Sequence, residues 1–181
     1  MADSMDELLD IIDESGNVLR QATKKEAHEH GWLHATVIGC LRYGQDWALV
    51  RQTPDRQDGG QLVNPVGGHV RAGETWADAL FRESEEEIGT RNLSYKFLGK
   101  AIFRRQVLDR DENHLFAVYE ITTPDPIILG SEAESIQTFT EQELQILGRT
   151  TPDAFGAAYF FVVEHFFPEL VPSEYQYRWR I

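Results

Sequence analysis

The sequence predicts an α/β protein with helices on both faces of a mixed sheet, and three observations carry that reading. Strand-like and helix-like segments alternate in mixed order along the chain. One helical segment directly follows a strand near the middle and another lies towards the C-terminal end, which suits a sheet covered on each side. The 181 residues, 41% of them hydrophobic, suffice for one domain with a sizeable core, and neither a low-complexity linker nor an internal repeat divides them.

Taken in order, Leu8 to Asp13 and Asn17 to Gln21 read as strands around a turn at Glu14 to Asn17. Thr23 with Glu26 forms a capping box before a short helix ending near Gly31. His34 to Tyr43 and Trp47 to Gln52 make a second hairpin across Gly44 to Asp46, and the polar run Thr53 to Gly60 is a loop, either a connection or a flap over substrate. A strand from Gln61 to Val66 leads into a helix over Arg82 to Ile88, whose N-cap pair is Thr75 and Asp78. Ser94 to Gln106 and His114 to Thr122 are strands joined by a turn at Asp109 to Asn113. Ser135 to Phe139 is a short strand, and Thr140 introduces a helix over Glu141 to Leu147. The last helix should start near Pro152 and stop at Pro168, with Phe155, Tyr159, Phe160, Phe166 and Phe167 as core or interface. The tail EYQYRWRI ends apolar and could dock on its own domain or on a second copy, so a homodimer is an open expectation.

Charge and cysteine content exclude several classes. The net charge of -13 argues against electrostatic binding to nucleic acid or an anionic membrane, although Arg104 and Arg105 could form a local basic patch. A single cysteine, Cys40, in the apolar run ATVIGCL, reads as a buried core thiol and suits a reducing cytoplasm. The acidic start MADSMDELLD lacks the features of a signal peptide, and no window approaches a membrane span.

The chemistry concentrates in GHVRAGETWADALFRESEEEIGT, residues 68–90. On a helix Glu83, Glu86 and Glu87 are spaced i, i+3 and i+4, so their carboxylates share one face. Left alone they would repel, weaken the helix and raise each other's pKa values; a divalent cation among them would relieve the repulsion. Oxygen donors favour Mg²⁺ or Mn²⁺. A solvated acidic face is the plain alternative for such a run.

Gly68, Glu74, Arg82, Glu83, Glu86, Glu87 and Gly89 match all seven defined positions of the Nudix signature, and the segment resembles that of the Nudix hydrolases. Its two aliphatic sites hold Ser84 and Thr90 instead, and Ser84 lies on the stripe with Ala77, Leu80, Phe81 and Ile88 that should pack on the sheet. The resemblance implies a Nudix-type α/β/α sandwich over residues 1–181: an N-terminal hairpin and short helix in 1–32, the box in 68–90, and a helix and tail in 152–181. It also implies that Arg82 and Glu74 orient the catalytic helix. Glu83, Glu86 and Glu87, with the Gly67 carbonyl, would be the metal ligands, and Glu86 would carry the catalysis. A further acid, Glu132 or Glu134, would be the base, with Glu134 taken as the catalytic candidate and a box glutamate left open.

The opening ELLDIIDESGNVLRQATKKEAHEHGWLHATV, with NPVGGH, is similar to the isopentenyl-diphosphate isomerases and their hydrolase-like relatives. In the isomerases a catalytic cysteine stands where this chain has Gly67, and a required glutamate falls at His114. Isomerisation needs an acid and a base on opposite faces of the double bond, so both departures count against it. The isomerases also bind a metal through histidines placed like His28, His34 and His69, with carboxylates as partners. The Glu112 to His114 segment matches only in part, so His34 and His69 are expected to be ordinary strand or loop histidines, with His28 and His30 solvated on a polar helix.

These readings converge on a Mg²⁺- or Mn²⁺-dependent pyrophosphohydrolase of a small-molecule diphosphate, most simply a nucleoside diphosphate derivative. A nucleotide-sensing Nudix-fold module without turnover is the alternative, and an isomerase a more distant one. The proline that marks ADP-ribose-type members is absent, as are the coenzyme A and NADH subgroup signatures. Trp47, Phe103 and Phe116 could stack on a base, though core packing is the expected role of each.

Overall fold

A computed structural model describes residues 5–107 and 110–171. The first hairpin pairs β1 (Leu8–Ile12) with β2 (Val18–Thr23), and Asp13 closes its turn by accepting from the Ser15 and Asn17 backbone N–H groups. Thr23 then caps α1 (Lys24–Glu29) with Glu26 reciprocating, the expected capping box. The tail EYQYRWRI lies outside the described residues.

The centre of the sheet is β3 (His34–Tyr43), which runs antiparallel to β4 (Asp46–Gln52) and to β6 (Val66–His69). On another side it runs parallel to β8 (Arg110–Thr122), so the sheet is mixed. The expected single strand over Gln61 to Val66 is instead two. β5 (Leu62–Val63) pairs with β4, and β6 pairs with β3; between them Asn64 and Pro65 carry the chain from one partner to the other. Proline has no N–H for a ladder, so the break falls there.

β7 (Ser94–Val107) forms a long hairpin with β8. The turn expected at Asp109 to Asn113 is a correction: Asp111, Glu112 and Asn113 pair in register with Gln106, Arg105 and Arg104. Their side chains complement across the ladder, with Arg105 Nε donating to Glu112 at 2.7 Å and Gln106 to Asp111 at 2.9 Å, which keeps these polar residues in the strand. β9 (Ala133–Phe139) adds antiparallel to β4, and Thr140 caps α3 (Glu141–Thr150) through a second capping box with Glu143.

Alternate residues of β3 feed two cores. Ala35, Val37 and Leu41 pack with Leu80 and Ile88 of α2 (Trp76–Ile88), while Ile38 and Cys40 pack with Phe155, Tyr159, Phe160 and Phe167 on the opposite face. Burial pushes the Cys40 thiol well above its ordinary range, as for a core thiol. The last helix departs from expectation. Pro152–Ala154 is a 3-10 turn and α4 (Ala157–Phe166) begins after Gly156, where a Cβ would stand 2.7 Å from Val63 Cγ1. Close passage of the chain beside β5 therefore interrupts the helix.

Candidate active site

Helix α2 is fixed at both ends before any charge is considered. Thr75 accepts from the Asp78 N–H at its start, and Gly89 ends it in the left-handed conformation at φ 78°. Ala79, Leu80, Ser84 and Ile88 are buried against the sheet, leaving Glu83, Glu86 and Glu87 towards a cavity of about 700 Å³. Ser84 is thus on the packing face the sequence assigns it, and its buried Oγ has no hydrogen-bond partner among the described residues. Thr90, the other departure from the box, donates to Asp125 at 2.6 Å.

Arg82 joins this helix to the loop before it. Its Nε and Nη2 donate to the two oxygens of Glu74 at 2.9 and 2.8 Å, Nη2 also to the His69 carbonyl at 2.8 Å, and Nη1 to Glu83 at 2.5 Å. Burial raises the Glu74 pKa, but the Arg82 and Arg71 hydrogen bonds and charges outweigh it and hold the carboxyl below its ordinary value. The fork sets how far α2 stands from β6. At Gly68 that distance is so short that a Cβ would lie 2.1 Å from the Glu83 carboxylate.

The box carboxylates are held by different partners. Glu87 Oε2 accepts from the Gly67 N–H at 2.7 Å, and Glu86 Oε1 lies 3.9 Å from Arg71 Nη2 and 4.0 Å from Arg82 Nη1. Burial, then the charges of Glu83, Glu132 and Glu86, push the Glu87 carboxyl well above its ordinary range despite the Gly67 bond. That crowding of carboxylate oxygens beside a backbone glycine fits a hard divalent cation.

Glu132 lines the cavity, where its carboxylate pairs with the Arg56 guanidinium, Oε1 to Nη2 at 2.6 Å. Glu134 is placed otherwise. It is exposed on β9 and is not among the cavity-lining residues, because alternate strand residues face opposite ways. Nor does the basic patch at Arg104 and Arg105 form. Arg105 pairs with Asp58 at 3.0 Å and with Glu112 at 2.7 Å, and Arg104 with Glu14 at 3.1 Å. Phe103 and Phe116 stack on each other, 5.0 Å between ring centroids, and Trp47 packs edge-on to Phe167; all three are buried, and Phe103 and Phe116 also line the cavity. Sequence reasoning missed Arg71, whose guanidinium lines the cavity and pairs with Glu7. Its place three residues after Gly68 was the available signal.

Four histidines cluster beside the same cavity, with His69 and His114 on its wall. His28 of α1, His34 of β3, His69 of β6 and His114 of β8 each bring a ring nitrogen to within 4.8 Å of the others. His28 is buried, which corrects its expected solvation, whereas His30 is exposed and stacks on Trp32. The reason is docking: α1 lies against β8 and turns Ala27 and His28 inward. Burial pushes His34 down to about 4, against the bond to the Trp32 carbonyl, and pushes His69 and His114 well below their ordinary value, so these three rings are neutral at pH 7. Nε2 of His34, His69 and His114 is buried without a hydrogen-bond partner among the described residues. Each such nitrogen costs roughly 1–3 kcal/mol.

A mixed sheet between two helical layers, with a carboxylate-faced helix forked to its loop by arginine, defines an α/β/α sandwich built around an acidic cavity. A model of the NUDIX domain matches residues 32–161, and the chain belongs to the NUDIX family. A Nudix hydrolase of Streptomyces coelicolor is 38% identical over 106 residues, 52% of this chain and 56% of that one. One from Pseudomonas aeruginosa is 30% identical over 143 residues, 77% of this chain and 82% of its own length. A solved Deinococcus radiodurans structure shares the fold at a TM-score of 0.70 and 21% identity, covering 89% of this chain and 99% of that one. The chain spans about half the length of several curated relatives it matches, 56%, 50% and 56%. Among the described residues no helix is long and apolar enough to cross a membrane.

Proposed function

We propose that this chain is a divalent-cation-dependent pyrophosphohydrolase that cleaves a diphosphate linked to another group, with nucleoside diphosphate derivatives as the substrate class. The observation that carries the reading is the crowding of Glu83, Glu86 and Glu87 beside Gly67 at the cavity wall, with Glu87 pushed well above the usual carboxylate range. Mg²⁺ or Mn²⁺, when bound there by Glu83, Glu86, Glu87 and the Gly67 carbonyl, would neutralise diphosphate oxygens and favour attack of water on phosphorus.

The chain's own residues do the rest. Arg82 and Glu74 hold α2 at its spacing from β6, so the carboxylates face the diphosphate without reorganisation. Arg71 and Arg56 bring positive charge to the cavity for the phosphate oxygens. Glu132, on that wall, accepts the proton of the attacking water; exposed Glu134 is out of place for it. Isomerisation finds no support at this site, since Gly67 offers no thiol and neutral His114 stands where a carboxylate is needed.

The test incubates the parent and Glu86→Gln with Mg²⁺ and a panel of nucleoside di- and triphosphates, nucleotide sugars and isopentenyl diphosphate, with products read by mass spectrometry. Cleavage by the parent and its loss in the variant are expected. Metal-dependent binding without cleavage by either would replace the hydrolase with a nucleotide sensor.

A further inference from the structure

We infer that His28, His34, His69 and His114 form a closed, four-imidazole site for a borderline divalent cation such as zinc, and that this ion fastens the N-terminal hairpin and α1 to the sheet. The site is chemically distinct from the acidic box and does not depend on the pyrophosphohydrolase reading.

Geometry carries the inference. The four ring nitrogens lie within 4.8 Å of one another, and a tetrahedral zinc with bonds of about 2.0–2.1 Å needs them only about 3.3 Å apart, a contraction that small ring rotations supply. Sheet register delivers three of the rings: His34 pairs with His114 across the parallel β3–β8 ladder, and Thr36, two residues on and on the same face as His34, pairs with His69. His34 is also pre-set as a ligand. Its Nδ1–H donates to the Trp32 carbonyl at 2.7 Å, which fixes the tautomer and leaves the Nε2 lone pair towards the other rings. Nε2 of His69 and of His114 is likewise buried with no hydrogen bond among the described residues. An apolar cluster would fill this volume without that cost, so the polar set calls for something to bind it.

The donor set selects the ion. Four imidazole nitrogens suit zinc, cobalt, nickel or copper and do not suit Mg²⁺, which takes oxygen. Among the described residues the cluster includes no carboxylate: Glu112, the nearest in sequence, accepts at Oε2 from Arg105 at 2.7 Å and from Gln57 at 3.0 Å. The site therefore departs from the histidine-and-carboxylate sphere of the isomerases, because His114 replaces a carboxylate and Glu112 is paired through Oε2 with Arg105. With four protein ligands no position stays open for water or substrate, so the role is structural. His28 is the one ligand outside the sheet. An ion at this point ties α1 to β3, β6 and β8, and so holds Glu7 and Lys24, from the same N-terminal part, on the cavity wall.

The experiment strips the full chain of metal, adds one equivalent of Co²⁺ in excess Mg²⁺, and reads the visible absorption, the bound metal and the thermal unfolding midpoint. Expected are the visible bands of a tetrahedral nitrogen site, one cobalt retained per chain, and an unfolding midpoint several degrees above that of the stripped chain. His28→Gln should lose all three, and so should His114→Gln, which serves if circular dichroism finds the first variant unfolded. His30→Gln on the same helix and Glu86→Gln in the box should keep them. No uptake by the parent, equal uptake by both ligand variants, or loss of the bands in Glu86→Gln would overturn the assignment.

Discussion

Glu83, Glu86 and Glu87 stand within five residues on one helix, whereas His28, His34, His69 and His114 come from four elements of the fold. Both groups reach the same cavity, since His69 and His114 line it together with the three glutamates. Helical periodicity alone makes the acidic group, so it forms wherever α2 forms. Strand register and the docking of α1 make the histidine group, which exists only once the tertiary structure does. The two also differ in charge. The acids crowd like charges, while His34, His69 and His114 bury neutral rings, each with an Nε2 that has no hydrogen bond among the described residues.

The sharpest way to break this comparison is to remove one member of the acidic group. Glu86→Gln is expected to lower turnover of the diphosphate substrate by at least about a hundredfold, measured as kcat, while leaving the chemical unfolding midpoint unchanged or raised because a repelling charge has gone. A large fall in stability instead would make Glu86 a structural residue.

Next in size is the fork. Arg82 and Glu74 side chains are only 12% and 15% exposed, so Arg82→Ala leaves carboxylates without their partner and should cost about 3 kcal/mol. Urea unfolding measures this, and a cost below about 1 kcal/mol would mean the pair behaves as a surface salt bridge. Ser84→Ala works in the opposite direction. It removes the unbonded buried hydroxyl, improves helix propensity and should stabilise by about 1 kcal/mol; a destabilised variant would imply that the hydroxyl does find a partner.

The smallest effect is on pH. Because Glu74 in the folded chain titrates below its ordinary value, the unfolded state binds its proton first as pH falls. Its contribution is fully present above an unfolded pKa of about 4.3 and is lost as pH drops through the lower folded value. The unfolding free energy of the parent should therefore fall below that pH more steeply than that of Glu74→Gln, and parallel acid limbs would remove Glu74 from the account.

How much of this was readable before folding follows the same division. The capping box at Thr23, the helix start at Thr140, the N-cap at Thr75 and the box spacing are local, and each stands where the sequence placed it. The break at Pro65, the interruption at Gly156 and the burial of His28 depend on which strand or helix lies alongside, and the local pattern carries no such term. Glu132 and Glu134 make the point most simply. They stand two residues apart in one acidic segment, which favours neither for a site; the start of β9 at Ala133 leaves Glu132 at the cavity and Glu134, the expected catalytic acid, in solvent. Arg105, expected in a basic patch with Arg104, is instead paired with Asp58 and Glu112, which lie far from it in sequence or across the β7–β8 ladder.

The pairing of β3 ties the two regions to one event. Ile38 opposite Gly67 sets the backbone amide that Glu87 accepts from, and His34 opposite His114, with Thr36 opposite His69, sets the histidines. A slip of one residue along β3 turns every side chain of that strand to the other face. Misregistered chains would then lose both regions together, so a folding error here yields molecules blank in two respects at once, and a single probe of either one reports on the integrity of the other.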